Sequence, residues 1–458
     1  MKKTFLYLIV AAVLSLSLAG AASAFSFDLH GSMLNTMTST NNANTLKDQL
    51  KSGITDIFTN NTNGNGKTAN YWNTVFDEGN SVFYAKTKVR LRFEGKSDDG
   101  RAKFVYGFEG GGYYWGDTNF DLSGDSKTTE TRFAYAQLAI LNGKITAGLQ
   151  KTGLNQWVWT ETAAGLKYQT EIKDLKLTVA WFRGYDEFGS TSKKLANNND
   201  DFFFLKTEGR VNNNLNLGFF GLYDHLNKEK KYGTEDYAVN YTARYYWLGI
   251  NGKFKANKIF GNFDAIYNGG YMDFNSGTHM TRRGYLGNLT VGYKINDRFK
   301  ASLNTLYVSG DDNPSDDTAN NFDSVDVDIK CGIVLFTKDS LSGNADNFVS
   351  DGPFINDKGL INIALQGEYQ IDPKNKVRAA VRKLYTAEDM NYIASKPKSN
   401  DIGYEFDLWY AYKYNKNVVL KAEFGYLVTG DGADQLAGPS GNADNNIYQT
   451  SVGMVLKF

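Results

Sequence analysis

The chain has 458 residues and carries 50 basic and 50 acidic side chains, so its formal net charge is zero. This balance gives no indication of nucleic-acid binding, and the single cysteine, Cys331, excludes an intrachain disulfide and a CxxCH haem-attachment motif. Glycine (46) and aromatic residues (29 Tyr, 30 Phe, 7 Trp) are abundant, whereas proline (5) is scarce. Few prolines suit long hydrogen-bonded strands, and a mean hydropathy of −0.44 argues against a bundle of membrane-spanning helices.

The first 24 residues have the pattern of a secretory signal peptide. Lys2 and Lys3 precede an apolar stretch at residues 5–18, and residues 22–24 match the A-x-A cleavage pattern. We therefore expect residues 1–24 to be removed and residues 25–458 to form the mature protein, exported across the inner membrane. A membrane anchor is the alternative, but the apolar core is short and no stop-transfer charges follow it.

Segments of about ten residues in which apolar and polar side chains alternate recur along the rest of the chain. We interpret eighteen of them as β-strands: residues 25–32, 81–94, 101–113, 131–141, 144–151, 164–172, 175–184, 202–209, 215–224, 239–254, 259–272, 285–295, 299–309, 360–371, 376–387, 402–414, 418–430 and 448–458. The connections are alternately short, with turn-forming pairs such as Asn142-Gly143, and long. This rhythm predicts an all-β fold: one antiparallel transmembrane β-barrel of about 18 strands in the outer membrane, with short periplasmic turns and long extracellular loops.

On the second predicted strand, Lys86, Lys88, Arg90 and Arg92 alternate with apolar residues and form a basic ladder on one face. A lysine or arginine that faces lipid at mid-membrane costs about 2–4 kcal/mol, so the ladder is expected to face the lumen. Two interpretations stay open: the ladder attracts anions through a focused field, or neighbouring carboxylates neutralise it. The other predicted pore-lining residues are Lys103, Arg132, Arg378, Arg382, Glu405, Asp407 and Glu423. The three carboxylates in this set are expected to pair with the ladder or to set a transverse field.

The last eleven residues, Tyr448 to Phe458, form a two-faced strand that ends on an aromatic residue. This segment resembles the closing strand of Gram-negative outer-membrane β-barrels, a family in which it is also the signal read by the barrel assembly machinery. The first predicted strand has the same alternation, with Phe27 and Leu29 facing outwards. We therefore expect residues 448–458 to pair antiparallel with residues 25–32 and to close the barrel, with the terminal phenylalanine at the periplasmic rim.

Two further segments resemble porins. Residues 132–150 are similar to a strand–turn–strand of Gram-negative porins, and residues 401–432 resemble the C-terminal hairpin of the alginate-export family of 18-stranded barrels. The residues that carry the second resemblance are Gly403, Glu405, Asp407, Leu408, Gly425, Tyr426 and Gly430. The resemblance implies a channel for anionic or polar solutes. It does not imply alginate, because Leu149 stands where a Gly-Arg-Gln ending has its arginine.

Two long loops, at residues 33–80 and 310–359, are expected either to act as a plug or lid or to be solvated. In the first loop, residues 45–58 place an apolar side chain at every fourth position, which suits a short amphipathic helix. The second loop contains an acidic run at 311–317, which lacks the EF-hand spacing and is interpreted as a solvated tip in preference to a calcium site. An alternating stretch at 325–336 predicts a small hairpin or lid within this loop.

These patterns predict an outer-membrane porin, a passive diffusion channel for small polar or anionic solutes. The alternatives are a barrel that sheathes a partner, such as the porin subunit of a porin–cytochrome electron conduit, and a polysaccharide export channel. The chain has three histidines and no recognisable catalytic constellation, so neither enzymatic activity nor a cofactor or metal is predicted. The expected partners are outer-membrane lipid, lipopolysaccharide, the barrel assembly machinery and the solutes, but not nucleic acid. A homo-oligomer and a cytochrome partner both stay open.

Overall fold

In a computed structural model, the chain forms one closed β-sheet. The structure describes residues 26–41, 81–115, 129–186, 199–226, 241–274, 277–313, 315–327, 329, 331–335, 341, 354–391, 394–436 and 446–458. The predicted signal peptide and the predicted helix at 45–58 lie outside these residues, and both stay predictions.

The sheet contains nineteen strands. Their bounds are β1 Ser26–Thr40, β2 Val82–Lys96, β3 Ala102–Tyr114, β4 Thr129–Ile140, β5 Gly143–Lys151, β6 Thr162–Ile172, β7 Leu175–Asp186, β8 Asn199–Asn212, β9 Leu215–Leu226, β10 Tyr241–Ala256, β11 Ile259–Phe274, β12 His279–Lys294, β13 Phe299–Val308, β14 Thr318–Ala319, β15 Leu360–Gln370, β16 Asn375–Met390, β17 Ser399–Lys413, β18 Val418–Thr429 and β19 Ile447–Lys457. The short β14 lies in the connection between β13 and β15 and pairs in parallel with β12. The other eighteen form a ring of antiparallel neighbours in which β1 pairs with both β2 and β19. The predicted all-β barrel of eighteen strands is therefore confirmed.

The connections are short turns at one end of the barrel and, with one exception, longer loops at the other end. Leu141 and Asn142, which join β4 to β5, both have positive φ (49° and 57°), as a two-residue type I′ hairpin requires. The exception is the connection of β11 to β12. Sequence patterning predicts a long loop at 273–284, but β11 runs to Phe274 and β12 begins at His279. These strands continue beyond the apolar band of the barrel, so the alternation of apolar residues stops before the strands end.

Side chains alternate between the two faces of each barrel strand. On β17, Tyr404 and Phe406 point outwards and are exposed, whereas Glu405 between them is buried inside. Exposed aromatic and aliphatic side chains cover the outer face of the barrel in the same way, as expected for a surface in contact with lipid. Helical structure among the described residues consists of α1 (Asp431–Asp434) and a 3₁₀ turn at Asn356–Lys358. Neither has the length or hydropathy needed to cross a membrane.

Loop segments fold into the barrel and form its hydrophobic core. Trp157 and Trp159, in the connection between β5 and β6, lie against the inner face of β7 and β8. The centroid of a Trp159 ring is 5.5 Å from that of Phe182 and 4.6 Å from that of Phe202. The described parts of the connection between β13 and β15 join the same cluster through residues such as Phe322. These two inward connections narrow the lumen.

The predicted hairpin at 325–336 is absent from the described residues of that stretch. Val325 and Asp326 donate their backbone N–H groups to the carbonyl oxygen of Val158, at 2.9 and 3.3 Å. The backbone carbonyl of Asp326 in turn accepts a hydrogen bond from Thr160 at 2.9 Å. Because these backbone groups bond to the other inward connection, the stretch needs no partner strand of its own.

The barrel closes between its first and last strands. The pairing of β1 with β19 is antiparallel and runs from Ser32 opposite Lys457 to Thr40 opposite Gln449. The prediction is right in partner and direction, but its register is wrong, because residues 26–30 pair only with β2. Sequence patterning ends the first strand at Ser32, where the apolar alternation stops, whereas the structure extends β1 to Thr40. Closing a barrel requires the strands to be staggered in register, and β19 therefore pairs with the polar extension of β1 after Ser32.

Phe458 lies at the end of the barrel where the short turns are. Its backbone N–H donates to the carbonyl of Gly31 at 3.1 Å, and its carbonyl accepts from the N–H of Gly31 at 2.9 Å. The phenyl ring covers Gly31, where a Cβ atom would come within 2.3 Å of the ring. A side chain at position 31 would therefore have to displace the terminal ring.

The closing register is testable with engineered cysteines. Thr38 and Ser451 lie opposite each other with their hydroxyl oxygens 2.9 Å apart. In a Cys331→Ser background, we expect Thr38→Cys with Ser451→Cys to form a disulfide, because facing Cα atoms about 4.5–5.5 Å apart allow one. The measurement is the change in electrophoretic mobility on reduction. Ser32→Cys with Ser451→Cys is the matched control and is expected to stay reduced; the opposite result would overturn this register.

Candidate functional site

The basic ladder lies on the inner face of β2. Lys86, Lys88, Arg90 and Arg92 alternate with outward-facing residues such as Phe93, which is exposed on the outside of the barrel. Lys86 is buried, whereas the side chains of Arg90 and Arg92 are 48% and 46% exposed. The two arginines therefore present their guanidinium groups to the lumen.

Glu109, on β3, binds three cations at once. Its Oε1 is 2.8 Å from Lys88 Nζ, its Oε2 is 2.6 Å from Arg90 Nε, and Arg132 also donates to Oε2. A bulge brings Arg132 to this position, because the register between β3 and β4 passes from Phe133 to Thr131 and skips the arginine. Bulges of this kind redirect a side chain within a sheet.

Glu94, at the short-turn end of β2, is the second carboxylate of this region. It lies 3.0 Å from Lys96 and from Lys103, and 4.0 Å from Arg92. Two carboxylates are thus shared among more cations than they can neutralise. We call the predicted cations on this inner surface the basic wall: Lys86, Lys88, Arg90, Arg92, Lys103 and Arg132.

The carboxylates that bind the basic wall are therefore its neighbours on β2 and β3. The predicted carboxylates Glu405, Asp407 and Glu423 have other partners and are buried against the connection between β13 and β15. Glu405 Oε1 accepts hydrogen bonds from the backbone N–H groups of Ile333 and of the next residue, both at 2.8 Å. Glu423 Oε1 accepts one from the N–H of Leu341 at 2.7 Å. We call these three side chains the carboxylate anchor.

The carboxylate anchor holds an inward segment of chain to the barrel wall. Hydrogen bonds to an ionised acceptor are about twice as strong as those between neutral groups, and successive backbone N–H groups that converge on one anion form a favourable site. Gln449, on β19, adds a hydrogen bond from its Nε2 to the carbonyl of Ile333 at 3.1 Å. The sequence does not reveal these contacts, because the partners are main-chain atoms of a distant loop.

The two predicted arginines of β16 also face inwards. Arg382 is buried, with its Nε 2.9 Å from Asp407 Oδ2, so this ion pair belongs to the wall beneath the inward segment. Arg378 lies with its guanidinium carbon 3.6 Å from the centroid of a Trp409 ring, a cation–π arrangement.

A second basic zone, near the short-turn end of the lumen, was not singled out by sequence patterning. Lys300 and Lys376 share Glu368, at 2.8 and 2.6 Å. Exposed inward-facing lysines without a carboxylate partner among the described residues include Lys144, Lys253 and Lys421. Each sits close to a turn, where lysine is common for reasons of solubility, so only the register of the closed barrel assigns them to the lumen.

The described residues contain no group of three or more His, Cys, Asp and Glu side chains arranged to hold a metal ion. In the acidic run at 311–317, Asp311 is buried, and its backbone carbonyl accepts a hydrogen bond from Lys358 Nζ at 2.7 Å. Asp316 accepts one from the side chain of Asn313 at 3.1 Å. The described geometry gives the calcium alternative no support.

No protein-family model matches the chain, and no curated protein matches its sequence. Solved structures match over nearly its whole length. Pseudomonas aeruginosa OpdQ is 12% identical with a TM-score of 0.52, and P. aeruginosa OccK8 (OprE) is 11% identical with a TM-score of 0.55; each match covers 94% of this chain and 98% of the other. P. aeruginosa OccK2 (OpdF), solved in complex with glucuronate, is 10% identical with a TM-score of 0.54 and coverages of 94% and 96%.

These neighbours are outer-membrane porins of the OccK and Opd type. At such low identity the likeness establishes the fold, and the chain has the fold of a Gram-negative outer-membrane porin. The predicted fold of an outer-membrane β-barrel is therefore confirmed, whereas the resemblance to the alginate-export family is not confirmed.

The carboxylate anchor generates a prediction about the inward segment. Replacing Glu405 with alanine removes the acceptor of three backbone N–H groups, those of residues 333–335, and we expect the free energy of unfolding to fall by about 2–4 kcal/mol. We also expect single-channel conductance to rise and to become noisier as residues 331–335 detach. Tyr404→Phe, which changes the outward neighbour by one hydroxyl group, is the control. Unchanged stability and conductance in Glu405→Ala would contradict the anchoring role.

Proposed function

We propose that the protein is an outer-membrane channel through which small anionic or polar solutes diffuse passively. The observation that carries this proposal is the basic wall, whose half-exposed Arg90 and Arg92 face the inside of a closed barrel with the porin fold. A charged surface enclosed by low-dielectric walls focuses its field on the solution between them and raises the local concentration of counter-ions.

Small carboxylates are the solute class that fits this surface best. The planar guanidinium group of arginine matches a carboxylate with two parallel hydrogen bonds. Glu109 neutralises only part of the charge near Lys88, Arg90 and Arg132. The neighbour OccK2 was solved with glucuronate, a sugar that carries a carboxylate, which supports the same class here. The second basic zone extends the positive surface towards the short-turn end.

The inward connections bear on the alternatives. Trp157, Trp159 and Phe322 pack in the barrel interior, and residues 331–335 are held to its wall. These segments occupy space that an enclosed partner protein or a polysaccharide chain would need. The sheath for a cytochrome and the polysaccharide exporter therefore gain no support, and the proposal stays with small solutes.

Removing the exposed charge of the basic wall should weaken anion preference. We expect Arg90→Gln with Arg92→Gln to lower the anion-to-cation permeability ratio by roughly fivefold, the factor given by about 1 kcal/mol when a permeating anion contacts one of the two removed charges at a time in water. The measurement is the reversal potential of the channel in a planar bilayer under a salt gradient. The control is Lys383→Gln, which removes an outward-facing cation bound to Asp401 at 2.5 Å. A barrel that conducts no ions, or an unchanged ratio, would refute the proposal.

Glu109→Gln should act in the opposite direction. It releases Lys88, Arg90 and Arg132 from their shared carboxylate, so we expect the permeability ratio for anions to increase. Salt should suppress the effect, because the Debye length falls from about 10 Å at 0.1 M to about 3 Å at 1 M. Reversal potentials at the two ionic strengths check both expectations. A fall in anion preference would mean that Glu109 does not reduce the field of the basic wall.

A further inference from the structure

A row of polar side chains lies on the outer surface of the barrel, at the end with the long loops. Arg183, Asp201, His225, Arg244 and Tyr271 are cross-strand partners on β7 to β11 and all face outwards. The next row towards the membrane centre contains aromatic residues and, on β12, an outward arginine at position 283. Aromatic side chains at this height mark the boundary between hydrocarbon and head groups.

Two arginines in these rows have no carboxylate partner among the described residues. Arg183 is neutralised by Asp201, at 2.7 Å from Nε to Oδ1. Arg244 instead donates its NH1 to the backbone carbonyls of Leu226 and Ala243, at 3.1 and 3.0 Å.

Arg283 is the second such arginine and is exposed. Only β11 separates its strand from that of Arg244, which places the strands about 10 Å apart. The ring of Tyr246 covers Gly269 of β11 between them, where a Cβ atom would come within 2.5 Å of the ring and its hydroxyl. Two outward cations and a phenol thus flank one patch of surface.

An apolar groove of about 650 Å³ lies on the same outer surface, towards the membrane centre. Gly221 and Ala265 form part of its floor, and Leu248 and Tyr267 are among its walls. These side chains lie at the height of the hydrocarbon, and the lining is suited to an acyl chain in preference to any polar group.

We propose that this surface binds one phosphate-bearing lipid of the outer leaflet. The phosphate lies between Arg244 and Arg283, where charge-assisted hydrogen bonds replace the missing carboxylate, and an acyl chain fills the groove beside Gly221. Charge and shape together select the occupant. The two arginines favour an anion at head-group height, and the apolar groove directly below them favours a hydrocarbon chain. The site depends on the barrel lying in the outer membrane and not on the passage of solutes.

The test is native mass spectrometry of the whole protein, extracted from outer membranes in a mild detergent. We expect the wild-type barrel to retain one phosphorylated lipid, and Arg244→Gln with Arg283→Gln to reduce retention roughly thirtyfold. Gly221→Leu is expected to reduce it as well, although both arginines remain. A Cβ at this position would meet only Leu248, at 3.4 Å, so the substitution fills the groove without a backbone clash.

Lys383→Gln is the matched control and should retain the lipid, because Lys383 faces outwards but is bound to Asp401. All variants should keep wild-type conductance, which verifies folding and separates this site from the proposed channel. Undiminished lipid in the double arginine variant would overturn the proposal. So would binding of inorganic phosphate without lipid, or a dimer of barrels that Gly221→Leu dissociates.

Discussion

The pairing of β1 with β19 is the contact on which the rest of the structure depends. Within a membrane, backbone N–H and C=O groups find no water, so a sheet can exist there only if it has no free edge. The fifteen residues of β1 meet this need by bonding to β2 along their whole length and to β19 along their second part. Once the ring is closed, successive side chains of each strand face lipid and the lumen in turn. The positions of the charged and apolar side chains follow from this alternation.

Inside the ring, carboxylates perform two different tasks. Glu109 and Glu94 lie beside lumen cations and reduce their charge without covering them, so Arg90 and Arg92 stay accessible. Glu405 and Glu423 accept main-chain N–H groups and hold an inward connection against the wall. The first arrangement reduces the electric field of the lumen cations. The second determines how much of the lumen the inward connection fills.

Outside the ring, the same alternation explains why the outward-facing cations of the described strands lie beyond the apolar band. Arg244 and Arg283 are tolerated because they lie above the hydrocarbon, among aromatic side chains. Small residues such as Gly221 interrupt the apolar surface below them and leave a groove. The outward arginines and the groove are therefore parts of one surface, which faces lipid and is separate from the lumen.

Sequence alone determined the strand number, the two faces of β1, β2 and β19, the inward ladder and the identity of the closing strands, because period-two alternation is local and lipid disfavours charged exceptions to it. The register of closure, the inward course of the loops and the partners of Glu405 were decided only by tertiary structure. Glu405 bonds to residues about seventy positions away, and Arg132 reaches Glu109 through a bulge. Such contacts depend on the stagger of strands around a closed barrel and on main-chain atoms of distant loops. Neither produces a periodic pattern in the amino-acid sequence.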